Sequence, residues 1–408
     1  MWMGYETKKI AWIDCIFVPM GSASSTVIEV IFRSWKENET EKQQWLSHCL
    51  EHMFFKWWKK FVWEWELFKA LDLIWAKRNG STWLYKCHYF IQTAPEFINK
   101  AIEILWDMVG SDKFKDDDLE TEKRVIIEEL RMNEINPKRS TRDNWFNWYV
   151  GDNSFGRNTI WTEESVLSFT TQDLVEYKNS LYTKDNMVIV LAWNWVDDEI
   201  KKSIELNFWW LKEKRTLDYP LFPNILPNEH KSIIDKWLKQ NQLIISAPWI
   251  DWNSNLKYAA NVCANILWWC RSSRLQQNIR TKEWLCYGIS ADHDSWPDFW
   301  YFYVNAWINK ENFDYWLSKI METIDDFVKQ DITQEELNLH ISYIIWRLKV
   351  NQDMIQQRAY SIWINYLFYK QLETIDELVN HYKQVTIDDI NKIKWLLSQE
   401  NLYTFYCK

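Results

Sequence analysis

Apolar residues cluster in short runs along the first half of the chain, and polar stretches separate these runs. Ile10–Pro19, Thr26–Arg33, Leu84–Thr93 and Met187–Leu191 are short and rich in β-branched or aromatic residues. Runs of this length and composition are typical of strands that are buried in a sheet. The pattern therefore predicts four strands in this half.

Helical patterns alternate with these strands. Glu41–Phe55 has apolar residues at helical spacing, and Asp116–Asn133 is a longer, acidic helix with carboxylates in its first turn. Pro95 marks the start of another helix, because proline is favoured in the first helical turn, and a further helix begins near Thr171. Strands and helices in this order predict an α+β fold.

Three prolines lie close together in the middle of the chain. The segment 219–230 contains Pro220, Pro223 and Pro227 and lacks apolar periodicity, which is typical of a linker. We therefore predict an N-terminal domain over residues 1–218, a linker over 219–230 and a C-terminal domain over 231–408.

Two helix starts repeat each other across this linker. Thr170-x-x-Asp173 in the first half matches Thr386-x-x-Asp389 in the second half. Each match could be an ordinary capped helix. The shared order of elements favours an internal duplication, so we expect two domains of similar fold.

Charge and hydropathy argue against two classes of partner. The formal net charge is −9 and the pI is about 5.5, which argues against a nucleic-acid partner. No run approaches the roughly 18 apolar residues of a membrane helix, so no membrane association is expected. Residues 1–19 lack the basic and apolar segments of a signal peptide, and we expect a cytoplasmic protein.

Two histidines in the predicted helix Glu41–Phe55 have the spacing of metal ligands. His48 and His52 are four residues apart and therefore lie on one helical face, with Glu51 beside them. A hydrolytic zinc site generally uses three protein ligands and leaves a fourth position for water. A carboxylate from another element has to complete the set.

The acidic helix supplies that carboxylate. Glu122 and Glu129 are seven residues apart and share one face, and Glu129 is the predicted third ligand. Zinc in such a site lowers the pKa of bound water and polarises a peptide carbonyl, while Glu51 would accept the proton of the water. Each residue alone could be a core histidine or a solvated carboxylate, but the combination favours a metal site.

The residues around both helices also carry a family resemblance. Gln44–Lys56 resembles the active-site helix of the pitrilysin/insulinase family, whose zinc peptidases have an inverted His-x-x-Glu-His motif. Glu122–Glu129 resembles the second zinc helix of that family. The resemblance implies a duplicated fold in which each of two similar domains is a mainly antiparallel sheet packed against helices.

The same resemblance assigns roles at the metal centre. It implies one Zn²⁺ ion per chain. By this resemblance the ligands are His48, His52 and Glu129, the general base is Glu51 and the supporting carboxylate is Glu122. Glu128 is the adjacent alternative to Glu129, and the spacing from Glu122 decides against it.

Three further positions resemble substrate-binding residues of the family. Within Ser272–Tyr287, Arg280 and Tyr287 match an arginine and a tyrosine that hold the substrate backbone and the oxyanion, although the pair could also be a surface contact. Asn79, just before the strand-like Thr82–Tyr89, matches an asparagine on the edge strand that pairs with substrate. A simple turn residue is an equally good interpretation of Asn79.

The resemblance implies a zinc endopeptidase that acts on peptides or unfolded segments, in a short bacterial form similar to mitochondrial processing peptidase. It also implies a homodimer in which the second domain of one chain faces the zinc site of the other. One alternative is a noncatalytic, regulatory or assembly subunit of a heterodimer, which the intact motif disfavours. Another is the catalytic half of a heterodimer, which the presence of Arg280 and Tyr287 in the same chain disfavours.

The composition departs from that of ordinary globular proteins. The chain has 31 Trp and only 7 Gly, whereas glycine normally makes up about 7% of residues. Tryptophan stands where the family has glycine, for example at Trp45 before the metal helix, at Trp75 and at the pair Trp268-Trp269. Our hypothesis is that the gene comes from a lineage that reads UGA as glycine. A tryptophan-rich binding surface is the competing interpretation.

Overall fold

A computed structural model describes residues 4–408 except for residues 22, 35–38, 57–59, 62, 84, 152, 158–161, 194–197, 210, 218–225, 236–237, 239, 282–287 and 296–298. The strands are β1 (Glu6–Ile10), β2 (Ile13–Pro19), β3 (Thr26–Phe32), β4 (Lys77–Trp83), β5 (Lys86–Thr93), β6 (Met187–Trp193), β7 (Lys231–Ile234), β8 (Asn241–Pro248), β9 (Gly288–Ser295), β10 (Trp300–Ile308) and β11 (Tyr403–Cys407). The α-helices are α1 (Leu46–Met53), α2 (Glu64–Leu73), α3 (Ile98–Val109), α4 (Asp116–Ile135), α5 (Pro137–Val150), α6 (Ser154–Arg157), α7 (Glu163–Ser168), α8 (Thr171–Leu181), α9 (Asp198–Phe208), α10 (Lys257–Ala264), α11 (Phe313–Lys329), α12 (Gln334–Asn351), α13 (Ile355–Tyr369), α14 (Ile375–Lys383) and α15 (Ile387–Lys394).

The first half of the chain forms a six-stranded sheet in the order β1-β2-β6-β3-β5-β4. Only the β2–β6 pair is parallel among its strand pairs. Alternate residues of the central strand β3 enter different cores, because side chains alternate between the two faces of a sheet. Val30 packs among residues of α1 and α3, whereas Ile31 packs against α13.

The second half forms a five-stranded sheet in the order β7-β11-β8-β10-β9. Its single parallel pair is β7–β11. This order and these directions match those of β2-β6-β3-β5-β4, so the same topology occurs twice. Thr170 and Thr386 are both N-caps whose side chains accept a hydrogen bond from the backbone N–H of an aspartate three residues later. The predicted α+β fold with two similar, mainly antiparallel domains is confirmed.

The chain folds into two compact units that are not continuous in sequence. The first unit consists of Met1–Met132, Ile160–Pro220 and Val350–Thr374, and the remaining segments form the second unit. Helix α13 therefore packs on β6 and β3 of the first sheet, while α5 packs on β8 and β11 of the second. The predicted linker 219–230 lies partly outside the described residues, and its bounds stay a prediction.

Three predicted element boundaries are wrong in detail. The run Ile10–Pro19 is interrupted, because Ala11 and Trp12 form a turn between β1 and β2. The strand-like stretch Thr82–Tyr89 combines the end of β4 with the start of β5. The metal helix begins at Leu46 instead of Glu41, because Trp45 has a left-handed backbone conformation with φ of 75°.

The described helices also bear on membrane insertion. None of them combines the length and the apolar character that a transmembrane span requires.

Candidate metal centre

Helix α1 fixes the two histidines by burying its opposite face. Leu46, Cys49, Leu50 and Met53 are buried against the core of the first unit. Their spacing leaves the other face of α1, which carries His48 and His52, partly exposed. The two imidazole rings lie 4.7 Å apart between centroids. The apolar residues of this helix thus aim both rings at one point in space.

Helix α4 brings a carboxylate to that point. Glu129 Oε2 lies 3.4 Å from His48 Nε2 and 3.6 Å from His52 Nε2. One donor atom from each of the three residues can be chosen so that all lie within 4.8 Å of one another. The neighbouring Glu128 is 67% exposed and pairs instead with Arg131, at 2.6 Å. The structure therefore brings together the three residues that the sequence predicted as ligands.

The donor set fits zinc by its chemistry and its spacing. Zinc takes imidazole nitrogen and carboxylate oxygen at about 2.0–2.2 Å, and a tetrahedral ion at that distance holds neighbouring donors about 3.4 Å apart. The two measured carboxylate–imidazole distances are 3.4 and 3.6 Å. Two imidazoles and one carboxylate also leave a tetrahedral ion one position for water or substrate.

Glu122 lies behind His52, on the side of the ring away from Glu129. The Nδ1 atom of His52 donates to Glu122 Oε2 at 2.8 Å, which directs the Nε2 lone pair of the same ring towards Glu129. A carboxylate in this place fixes both the tautomer and the orientation of a ligand histidine. Lys56 Nζ lies 3.0 Å from the other oxygen, Glu122 Oε1. The structure thus places Glu122 beside His52, and its supporting role at a metal stays a prediction.

The electrostatics of the centre favour ionised carboxylates. Burial opposes the charge of Glu122, whose side chain is 5% exposed, but hydrogen bonds from His52 and Lys56 outweigh burial and lower its pKa. The hydrogen bond with His48 is the main cause that lowers the pKa of Glu129, against the effect of burial. Both acidic residues are therefore suited to hold or support a cation.

Glu51 lies beside the ligands on the same helix. Its Oε2 atom is 3.8 Å from His48 Nδ1, and it accepts a hydrogen bond of 2.5 Å from Thr82 Oγ1 on β4. Thr82 and Lys56 are two site residues that sequence reasoning missed. Lys56 follows His52 by four residues, which was a usable signal, whereas Thr82 comes from a separate strand and gave none.

The predicted substrate-binding residues are less completely described. Asn79 is exposed on β4, which is an edge strand of the first sheet, as expected. Arg280 lies in a π-helical segment, Gln276–Thr281. Tyr287 lies outside the described residues. The roles of all three stay predictions.

Comparisons with known proteins agree with this geometry. The sequence profile described as insulinase, peptidase family M16, matches residues 22–163, and the profile described as peptidase M16 inactive domain matches residues 168–343. The chain is 27% identical over 380 residues to the uncharacterized zinc protease YmxG of Bacillus subtilis, with 92% of this chain and 91% of that protein covered. An uncharacterized zinc protease of Rickettsia felis is 24% identical over 377 residues, with 91% and 89% covered.

Solved structures share the fold. A protease from Helicobacter pylori superposes with a TM-score of 0.89 at 18% identity, and all of both chains is covered. A peptidase M16 inactive domain from Pseudomonas fluorescens also gives a TM-score of 0.89, at 14% identity, covering 99% of this chain and 97% of that one. Two matched profiles, relatives along nearly the whole chain and a duplicated fold lead to one conclusion: the chain belongs to the insulinase family, peptidase family M16.

Proposed function

We propose that the protein is a zinc-dependent endopeptidase that cleaves peptides or unfolded protein segments. Two imidazoles and one carboxylate that converge from α1 and α4, with the carboxylate of Glu51 beside His48 on α1, support this function most directly. His48, His52 and Glu129 would hold the ion, and zinc in that place supplies a polarised peptide carbonyl and a more acidic water.

The chain's own residues then divide the remaining work. Glu51 accepts a proton from the attacking water and delivers it to the leaving nitrogen. Glu122 keeps His52 in the ligand tautomer, and the positive charge of Lys56 balances the buried Glu122 carboxylate. An extended peptide can add to β4 along the edge that pairs with no described strand, through backbone hydrogen bonds, which requires little of the peptide sequence.

Replacing Glu51 by Gln tests the reaction. The amide keeps the shape of the side chain but cannot accept the proton, so the variant should bind zinc normally and lose peptide cleavage. Glu128→Gln is a matched control on α4, because Glu128 points away from the centre to Arg131. Cleavage by E51Q at the wild-type rate would exclude Glu51 as the base. Wild-type protein without bound zinc would exclude the function.

A noncatalytic or regulatory subunit of a heterodimeric complex is the second candidate. The match of residues 168–343 to the profile described as an inactive domain favours it. Such a subunit would bind a family partner without cleaving peptides when loaded with zinc alone. Cleavage by the purified chain decides between the two functions.

The proposed enzyme is a homodimer in which the second domain of one chain faces the zinc site of the other, and Arg280 and Tyr287 hold the substrate there. Light scattering of the purified chain should give the mass of two chains. An active monomer, or activity only after a second subunit is added, would contradict this arrangement. The cytoplasmic location stays a prediction.

We also propose that many tryptophans of this sequence are glycines in the cell, through reading of UGA as glycine. Trp12, Trp45 and Trp75 have φ values of 69°, 75° and 50°, in the left-handed region that favours glycine. Mass spectrometry of native peptides that span Trp268-Trp269 should find glycine masses. Indole masses there would end the hypothesis.

A further inference from the structure

The general base Glu51 has a hydrogen-bond donor on a different element. Thr82 lies in the edge strand β4, and its hydroxyl is 2.5 Å from Glu51 Oε2. The threonine hydroxyl is the donor and the carboxylate oxygen the acceptor. Hydrogen bonds to a charged acceptor are short and strong, which makes this contact able to fix a side chain.

The Thr82 hydroxyl is itself held in place. Thr82 faces Cys87 across the β4–β5 pair, and its Oγ1 lies 3.4 Å from Cys87 Sγ. Burial raises the pKa of the Cys87 thiol to about 11, so an uncharged thiol lies against the threonine hydroxyl. The hydroxyl therefore has two neighbours, the Cys87 thiol and the Glu51 carboxylate to which it donates.

A second contact from the same strand confines the stem of Glu51. Gly80 and Thr82 share one face of β4, because side chains alternate along a strand. A Cβ atom at position 80 would lie 3.2 Å from Glu51 Cγ, which is closer than ordinary packing. Glu51 therefore rests against the backbone of β4 at one end and bonds to Thr82 at the other.

We propose that Thr82 is a positioning residue for the general base. The Thr82 hydroxyl donates a hydrogen bond to Glu51 Oε2, whereas Glu51 Oε1 makes no hydrogen bond within the described part of the chain. Oε1 is then the atom that accepts the proton of water. A peptide that adds to the outer edge of β4 would pair with the same strand that holds the base, which couples substrate alignment to catalysis.

Kinetics of Thr82 variants test this role, which rests on the proposed peptidase function. Thr82→Val removes the donor and keeps the shape, so kcat should fall about 10-fold to 100-fold, as expected for loss of a hydrogen bond to a charged group, while KM and zinc content stay unchanged. Thr82→Ser keeps the hydroxyl and should restore most of kcat. Ser81→Ala is the control and should leave kcat unchanged. Ser81 points to the face of the sheet opposite to Thr82, where its hydroxyl bonds to His88 of β5.

Unfolding of the metal-free protein gives a readout that does not depend on cleavage. If the contact exists, the effects of Glu51→Ala, which removes both acceptor oxygens, and Thr82→Val on the unfolding constant should not be additive. Additive effects, a wild-type kcat for T82V, or equal impairment of T82V and T82S would each overturn the positioning role alone. A wild-type chain without zinc-dependent cleavage would overturn the proposed function as well, even with non-additive unfolding.

Discussion

Replacing Trp12 by glycine is expected to stabilise the protein, although it removes a large apolar side chain. Ala11 and Trp12 connect β1 and β2 as a two-residue turn, with φ values of 49° and 69°. Two-residue hairpin turns with positive φ at both central residues strongly favour glycine. The Trp12 side chain is 73% exposed, so its removal costs little buried area.

The size of the effect follows from two opposing contributions. A left-handed conformation costs a residue with a Cβ roughly 1–2 kcal/mol, and glycine avoids this cost. Glycine makes the unfolded chain more flexible, which offsets about 0.4–1 kcal/mol of the gain. The unfolding free energy of Trp12→Gly should therefore rise by about 1 kcal/mol.

A second tryptophan provides the matched control. Trp346 is 58% exposed, but it lies inside the helix α12, where positive φ is not required. Glycine in a helix interior is less favourable than tryptophan, so Trp346→Gly should lower the unfolding free energy by about 0.5 kcal/mol. Urea unfolding followed by far-UV circular dichroism measures both changes. If Trp12→Gly lowered the unfolding free energy as much as Trp346→Gly does, the claim that the left-handed backbone at position 12 favours glycine would be refuted.

Two other substitutions probe the metal centre and the core. Glu122→Ala should weaken zinc binding about 10-fold to 100-fold in competition with a chelator, because His52 loses its orienting partner. Glu120→Ala, at an exposed position on the same helix, should leave zinc binding unchanged. Equal zinc affinities of the two variants would contradict the supporting role of Glu122. Burial, with help from the charge of Lys86, lowers the pKa of His88 to about 3, whereas an unfolded histidine titrates near 6.5. Only the unfolded chain takes up a proton between those values, so this histidine contributes a loss of about 1.4 kcal/mol of unfolding free energy per pH unit as the pH falls. His88→Gln should remove this part of the slope in urea unfolding at several pH values, and an unchanged slope would contradict it.

The sequence predicted the cluster of His48, His52 and Glu129 from signals that are largely local. Two histidines four residues apart on one helix and two glutamates seven residues apart on another must each share a face, whatever the rest of the chain does. The approach of the two helices is a tertiary feature, which the need of a zinc site for a third ligand and the family resemblance both suggested. The structure then showed Glu129, and not Glu128, turned towards the imidazoles.

Other features depend on contacts that no local pattern encodes. The edge strand β4 is mostly polar and partly exposed, so it lacks the apolar run that marks a buried strand. Helices α5 and α13 each pack in the unit built mainly from the other half of the chain, and helical periodicity does not identify the sheet that a helix will cover. The donor Thr82 was missed for the same reason.

The duplicated topology shows why the fold alone does not assign the chemistry. Helix α10 follows β8 as α1 follows β3, yet its sequence, Lys257–Ala264, contains no histidine or carboxylate. Helix α12 has the same place in the element order of the second half as α4 has in the first. Its Glu336, however, forms a bidentate ion pair with Arg274. Among the described residues, donors with metal-binding geometry therefore converge only in the first unit. The described parts of the two topological copies thus differ in their donor side chains, because a site is made by particular side chains on the fold.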